Sequence, residues 1–301
     1  MKKKKYVVTG GAGFIGSHVV DLLQKLKHEV IVIDNFSTGS LKNLDIRDNV
    51  ENICLSNINK LNKIFKGCDG VFHLAALPRI QPSFEEPLLH NKINITASLN
   101  VIEAMKACSV KKIVFSSSSA CYGNPSEIPT TENCPVSFLN PYALQKFTSE
   151  QYIMILSKKY NLHAISLRYF NVYGPRSFNP KNKLSAYSSV VGIFNYANKK
   201  NLPIKITGNG NQLRDFIHVK DVAEANYLAM KSKIKNEIFN VGTGKTISIK
   251  NLSFYFTKKP TFIKKRSGEA NITCASIKKI RKQLGWKPKI NLEKAIQKGF
   301  V

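Results

Sequence analysis

The sequence predicts an α/β protein built on a doubly wound parallel sheet, with a smaller α/β lobe attached. Three observations carry this. Strand-like and helix-like segments alternate through the first half of the chain. The early strands are apolar without interruption, as suits a parallel sheet covered on both faces. The alternation then breaks after about residue 173.

The elements follow in order. Lys5–Thr9 is a short run of apolar and β-branched residues, a strand. Residues 14–26 place Phe14, Ile15, Val19, Leu22, Leu23 and Leu26 at helical spacing. Glu29–Asp34 carries Val30-Ile31-Val32-Ile33 and reads as a second strand. Residues 70–76, 112–117 and 163–169 read as further strands, and 88–106 and 142–158 as helices. Gly174-Pro175-Arg176 and Asn179-Pro180 are turn-rich. A helix over 186–200, a strand over 203–207, a helix over 219–231 and a strand over 238–241 follow, and from Lys245 the elements are short and basic. The division expected is a sheet domain over 1–172 with a return segment near 214–242, and a lobe made of 173–213 and 243–301.

Composition narrows the function classes. In 301 residues, 43% are hydrophobic and 22% charged, enough apolar content for a core and too much for disorder. No run of 18 apolar residues occurs, so no membrane partner is expected. After Met1-Lys2-Lys3-Lys4-Lys5 the apolar stretch is too short for the core of a signal peptide. The net charge of +27 invites a nucleic-acid reading. Of the 46 basic residues, however, 39 are Lys and 7 Arg, and they are scattered. Base-reading surfaces recruit the planar fork of arginine, so no nucleic-acid partner is expected. The six cysteines form no Cys-x-x-Cys pair and have no histidines at ligand spacing, which argues against a metal site. Reduced thiols in the cytoplasm are the expectation.

Two patterns carry chemistry. Gly10, Gly13 and Gly16 lie between the first strand and the first helix, where a tight turn lets the backbone approach a pyrophosphate at a helix N-terminus. Asp34, eighteen residues past Gly16, ends the second strand. A carboxylate there accepts from both ribose hydroxyls and repels a 2′-phosphate, favouring NAD over NADP. The alternative is a structural glycine turn with Asp34 as a turn cap. In the second pattern, Tyr142 and Lys146 share one helix face just after Pro141. A free phenol, with a pKa near 10, is a poor base at neutral pH, and a neighbouring ammonium and a nicotinamide ring would lower it. The strand before them ends in Ser116-Ser117-Ser118-Ser119, at the carboxyl edge where open α/β sheets bind ligands. The competing readings are an exposed Tyr, a solvated Lys and turn-capping serines.

Over nearly its whole length the chain resembles the extended short-chain dehydrogenase/reductases, specifically the NAD-dependent nucleotide-sugar epimerases and dehydratases. The matching stretches run in order from Thr9-Gly10-Gly11-Ala12-Gly13-Phe14-Ile15-Gly16-Ser17-His18 through Asp34-Asn35-Phe36-Ser37-Thr38-Gly39 and Phe72-His73-Leu74-Ala75-Ala76 to Tyr142-x-x-x-Lys146. They continue with Arg168-Tyr169-Phe170-Asn171-Val172-Tyr173-Gly174-Pro175-Arg176, Arg214-Asp215-Phe216-Ile217-His218-Val219 and Asn240-Val241-Gly242. The resemblance implies a Rossmann domain with a substrate-binding lobe, and NAD as cofactor. It implies Tyr142 as base, Lys146 on the nicotinamide ribose and Ser118 as the catalytic hydroxyl, with Ser117 or Ser119 sharing that role. Gly10, Gly13, Phe14, Ile15, Gly16, Asp34, Asn35, Ser37, Thr38, Gly39, Leu74, Ala75, Ala76, Asn94, Ser116, Ser117 and Phe170 are implied for the cofactor. Asn57 and Ile58 are implied at its adenine, in place of the family's Asp-Ile/Leu. Ser118, Ser119, Asn171, Val190, Arg214, Arg266, Glu269 and Thr273 are implied for the substrate, Glu269 on the uridine ribose.

Dehydratases of this family resemble Asp-Glu after the catalytic Ser/Thr, and decarboxylases usually carry Glu at the second position. Here Ser119-Ala120 stands there, which leaves 4-epimerisation of a UDP-hexose as the expected outcome. A dehydratase or decarboxylase is the alternative, and a non-catalytic NAD- or nucleic-acid-binding module the alternative of another class. Thr273, seven residues after the Arg of Arg266-Ser267-Gly268-Glu269, resembles the small residue that admits an N-acetyl group, with plain UDP-glucose/UDP-galactose as the other choice. Arg79 reads as a solvated loop arginine, with a charged sugar substituent such as a uronate as the alternative contact. Residues 251–260 are shorter than the resemblance leads one to expect, which puts substrate affinity rather than chemistry at stake. The family pairs the helices matching 88–106 and 142–158, implying a homodimer.

Overall fold

A computed structural model of the chain describes residues 2–45, 49–178 and 189–300. Asn179-Pro180 and the first residues of the helix expected over 186–200 lie outside them. Seven parallel strands form the main sheet: β1 (Lys5–Thr9), β2 (Glu29–Asp34), β3 (Val50–Asn52), β4 (Gly70–His73), β5 (Lys112–Ser118), β6 (His163–Tyr169) and, far along the chain, a strand at Glu237–Val241. That last strand lies at one edge beside β6, and β5, β4, β1, β2 and β3 follow in that spatial order. The chain thus winds outward from β1 to β3, then restarts at β4 and winds the other way. Between β1 and β4 the winding direction reverses, the place where a crevice opens in such sheets.

Each face of the sheet is covered. Val7 and Val8 are both fully buried on opposite faces, which is why β1 is apolar throughout. On one face, α1 (Phe14–Lys25) packs against a late helix at Val219–Lys231. On the other lie α2 (Ile58–Phe65), α5 (Ala97–Ala107) and α6 (Pro141–Lys159). Asn140 caps α6 by accepting from Ala143 N at 2.8 Å, and Pro141 takes the first helical position, where its missing N–H costs nothing.

Three local outcomes differ from the periodicity. The helix expected over 88–106 is assembled from α4 (Pro87–Asn91), a π-turn at Lys92–Thr96 and α5; a shorter α3 (Ile80–Glu85) precedes it. The π-turn turns Asn94 inward. The strand expected over 70–76 stops at His73, so that 74–76 leave the sheet and turn along the crevice. The elements β3 and α2 escape pattern reading because asparagines and lysines interrupt their few apolar residues, of which Leu61 and Phe65 are fully buried.

The lobe is built from short pairs: β7 (Asn171–Tyr173) with β10 (Phe216–His218), β8 (Ile204–Thr207) with β13 (Pro260–Ile263), and β9 (Leu213–Arg214) with β12 (Ile247–Ser248). Between them come α7 (Val190–Lys199), α8 (Val219–Lys231), β11 (Glu237–Val241) and α9 (Ile249–Ser253); α10 (Lys278–Leu284) and α11 (Leu292–Gln297) follow. Phe194, Ile204, Ile206, Phe216, Leu252, Phe256 and Phe300 form the lobe's core. The region expected wholly in the lobe, 243–301, is divided. Ile280 and Trp286 pack in the core of the main sheet, where Trp286 Nε1 donates to Asp221 O at 3.0 Å.

Candidate functional site

A single cavity of about 1020 Å³ runs along the carboxyl ends of the strands, from the β1–α1 turn to the lobe. At its first end Gly10 turns the chain with φ +68°, and a Cβ on Gly16 would stand 2.1 Å from Gly10 O, so only glycine permits the turn. Gly13 caps α1 with no side-chain bond, so the helix N-terminus faces the cavity without a capping side chain. Gly13, Phe14, Ile15 and Gly16 line the cavity. Asp34 Oδ2 accepts from Ala12 N at 3.0 Å and Oδ1 from Phe36 N at 2.9 Å. Burial raises its pKa, and these two backbone bonds oppose the rise. Each oxygen keeps a further lone pair for a ribose hydroxyl. Asn35, Ser37 and Thr38 continue the wall. Gly39 stands behind it: a Cβ there would lie 2.9 Å from both Asp34 oxygens, so it makes room for the carboxylate. Thr9 Oγ1 and Ser98 Oγ grip the two nitrogens of buried His73 at 2.7 and 2.9 Å, fixing the end of β4, from which Leu74, Ala75 and Ala76 enter the wall.

Besides Gly39, three expected cofactor residues stand off the wall. Asn57 and Ile58 are off the wall. Asn57 Oδ1 accepts from Lys60 N at 3.1 Å as the cap of α2, and Ile53, Cys54, Leu55 and Ser56 occupy the wall after β3 instead. Asn94 is also off the wall. It accepts from Leu77 N at 2.8 Å and donates to Gln145 Oε1 at 3.1 Å, holding the loop that lines the cavity rather than lining it.

The middle of the cavity holds the reactive groups. Strand β5 delivers Ser116, Ser117 and Ser118 to its carboxyl end, and Ser119 and Ala120 follow on the wall. Ser118 Oγ accepts from Ala120 N at 3.2 Å, and the Ser118 side chain lies near enough to the Tyr142 phenol to favour its ionised form. Ser117 Oγ is buried with no partner among the described residues, an open valence at the cradle. Tyr142 is held by its backbone N–H, which donates to Ser83 Oγ at 3.1 Å. One turn on, Lys146 Nζ sits 4.2 Å above the centre of the Phe115 ring. A further turn on, buried Glu150 takes Arg168 through Nη2 at 2.6 Å and Nε at 3.1 Å. Arg168 Nη1 reaches Tyr122 OH at 2.8 Å.

Burial dominates the titration of this row. It pushes Tyr142 up to about 12, the Ser118 hydrogen bond pulling the other way. It pushes Lys146 down to about 7 against the attraction of Glu150. The sequence reading had Lys146 lowering the tyrosine; in the structure the lowering partner is Ser118. A cationic ring bound beside the phenol would lower it further.

At the lobe end, Phe170, Asn171, Val190, Arg214, Arg266, Glu269 and Thr273 line the cavity. Arg214 Nη2 faces Glu269 Oε2 at 3.9 Å. Asn171 Nδ2 donates to Thr273 Oγ1 at 2.9 Å, so the position chosen for substrate size is pinned. Buried Asp215 accepts from the N–H groups of Thr243, Gly244 and Ala275, tying the lobe's loops together. The 266–269 loop is fastened to the main sheet's helices: Gln81 Nε2 donates to Ser267 O and Asn140 Nδ2 to Gly268 O, both at 2.9 Å. Arg79 and Lys205 also line the cavity. Arg79 was read as solvated, and nothing in the local sequence signals its half-buried place. Among the described residues no group of three His, Cys, Asp or Glu could hold a metal ion.

A glycine cradle without room for Cβ atoms, a ribose carboxylate and a Ser–Tyr–Lys row in one cavity define a dinucleotide-dependent enzyme of the short-chain dehydrogenase type. The residues fit a dinucleotide: the N-terminus of α1, the remaining lone pairs of Asp34 and the open Ser117 hydroxyl all meet the cavity. Residues 6–242 match the profile of the NAD dependent epimerase/dehydratase family, and the chain belongs to that family. A putative UDP-glucose 4-epimerase of Methanocaldococcus jannaschii is 39% identical, over 97% of this chain and 96% of the relative. The structure of UDP-glucose 4-epimerase from Thermotoga maritima with UDP-glucose superposes with a TM-score of 0.92 at 35% identity, covering 97% of this chain and 96% of that one. UDP-N-acetylglucosamine 4-epimerase from Methanobrevibacter ruminantium M1, in complex with UDP-N-acetylmuramic acid, gives 0.90 at 36% identity, covering 100% and 96%. No helix among the described residues is long and apolar enough to cross a membrane.

Proposed function

We propose that the protein is an NAD-dependent 4-epimerase of UDP-hexoses. The observation that carries this is the grouping of Ser118, Tyr142 and Lys146 on the wall of one cavity, between the dinucleotide cradle and the arginines of the lobe. NAD held by Gly10, Gly13, Gly16 and Asp34 supplies a hydride acceptor that later returns the hydride. The chain does the rest. Arg214 and Arg266 hold the diphosphate, and Glu269 the uridine ribose. Ser118 orients the sugar 4-hydroxyl, Tyr142 takes its proton, and the 4-keto sugar turns its other face within the cavity before Tyr142 gives the proton back. Lys146 holds the nicotinamide ribose and keeps positive charge beside the phenolate. Ser119 and Ala120 line the cavity where a dehydratase or decarboxylase would place its acids, so nothing there diverts the keto sugar.

Thr273 supports N-acetylated hexoses as preferred substrates. Its side chain is short, and its hydroxyl is engaged by Asn171. Exposed Phe84, Leu88, Leu89, Leu144, Tyr152 and Ile155 on α3, α4 and α6 support a homodimer through that face. Six free cysteines fit the cytoplasm. The test is incubation with UDP-N-acetylglucosamine and with UDP-glucose, followed by separation of the 4-epimers and mass spectrometry. An epimer of unchanged mass is expected. A product lighter by water or carbon dioxide, or none from an NAD-loaded protein, contradicts the proposal.

A further inference from the structure

The lobe carries a surface that the reaction leaves unused. Asn198, in the last turn of α7, accepts from Thr257 N at 3.0 Å and from Thr257 Oγ1 at 2.8 Å. That contact brings Lys199, Lys200 and Leu202 beside Lys258 and Lys259, with Phe254 three residues before Thr257. Strand β13 then starts at Pro260 and runs along β8, with Phe262 level with Ile206. Ile204 and Ile206 of β8 are buried in the lobe's core. Strand β13 is the outer partner: it is exposed from Thr261 through Ile263, and exposed Lys264 and Lys265 follow it. Leu202, Phe254, Phe262 and these lysines are absent from the cavity wall, so the surface lies away from the reacting groups.

Two properties set it apart. Its apolar side chains are large and open to solvent. Phe254 at 66% and Phe262 at 52% are the two most exposed phenylalanines among the described residues, and Leu202 stands at 47%. Its charge has one sign. Residues 190–213 and 243–268 contain no Asp or Glu, and among the described residues none of the six lysines enters an ion pair. In the main domain, by contrast, Lys4 meets Asp69, Lys5 meets Glu29 and Lys106 meets Glu103.

These properties select among anionic partners. Protein interfaces favour Arg, Tyr and Trp and are poor in Lys. Nucleic-acid surfaces recruit the arginine fork. The six cations here are all lysine. A second copy would bring the same charge to the same face and be repelled. An anionic bilayer needs no matching shape: lysines reach its headgroups while Phe and Leu side chains enter the acyl boundary. We propose that this face of the lobe binds anionic phospholipid and holds the protein against a bilayer, with Phe254 and Phe262 inserted. The expectation of no membrane partner concerned spanning segments, and this contact needs none.

The test is sedimentation of the NAD-loaded full chain with vesicles of phosphatidylcholine alone, or with phosphatidylglycerol as a third of the lipid. The parent is expected to bind the anionic vesicles about tenfold more tightly or better, and to lose that preference as salt is raised. Lys200→Glu with Lys259→Glu weakens binding by about tenfold or more, and Phe254→Ser with Phe262→Ser by about threefold or more. Lys231→Glu with Lys233→Glu makes the same change in net charge on exposed residues at the end of α8, and its effect is expected to stay below about threefold. Phe254→Trp keeps a ring in place, and its emission is quenched by brominated lipid; the parent's single Trp286, buried in the main core, is not quenched. No preference for the anionic vesicles overturns the inference. So does equal weakening by the two lysine pairs, which assigns the binding to net charge, or an unquenched Phe254→Trp. Tighter binding of single-stranded RNA at the same salt, lost with the Lys200–Lys259 pair, overturns it in favour of nucleic acid. If a double variant does not fold, the quenching of Phe254→Trp decides. None of these outcomes bears on the epimerase reading.

Discussion

The two ends of the cavity are built differently. The cradle end is set by backbone and by burial. Its turn admits no side chain at Gly16, and its strands are sealed on both faces. The lobe end is set by side chains that reach across between short strand pairs, with Asn171 on Thr273, Arg214 facing Glu269, and Gln81 and Asn140 fastening the 266–269 loop. Backbone that cannot change fixes a chemistry common to a family. Side chains that can change, on a frame held elsewhere, tune which sugar enters. Disrupting the first end is expected to abolish function, and disrupting the second to shift it.

The largest effect is expected at Gly16→Val. The added Cβ meets Gly10 O at 2.1 Å, so the turn must open and NAD binding is lost; fluorescence titration with NADH checks this. Next is the buried pair beneath Lys146. Arg168→Met leaves Glu150 buried and unpaired, an expected loss of about 3–5 kcal/mol in urea unfolding. Smaller is a pH effect. Lys146 has a folded pKa of about 7 against about 10.4 in the unfolded chain. Between those values the unfolded chain binds a proton that the folded one has released. Stability from this group therefore rises with pH across that window, by at most about 1.4 kcal/mol per pH unit. Lys146→Met removes that rise, which unfolding midpoints at pH 7 and 9 will show. Smallest is Thr273→Tyr at the lobe end. It is expected to cut kcat/KM for UDP-N-acetylglucosamine relative to UDP-glucose by a factor of about 10–200, the scale set by added bulk in a pocket.

The same contrast decides what was legible in the sequence. The Gly10–Gly16 turn, Asp34 and the Tyr142–Lys146 pair are local patterns, and the family resemblance implied that they share one crevice. Asn57 stands off the wall because an asparagine at a helix start serves equally as a cap, and no local pattern separates the two roles. The place of Asn94 behind the wall was not legible because its π-turn carries no periodic signal. Arg79 and the division of 243–301 between two cores depend on contacts between residues far apart in the chain, such as Gln81 with Ser267 and Trp286 with Asp221, which no local pattern encodes. The titration order of Tyr142 and Lys146 was likewise invisible, because it is set by burial rather than by their spacing.

The central claim is that the phenol of Tyr142 moves the proton of the sugar 4-hydroxyl. Tyr142→Phe, loaded with NAD, tests it most directly through the rate at which the 4-epimer appears. A fall of about 10²- to 10⁴-fold with NAD still bound is the predicted result. Epimerisation at the parent rate would contradict the account.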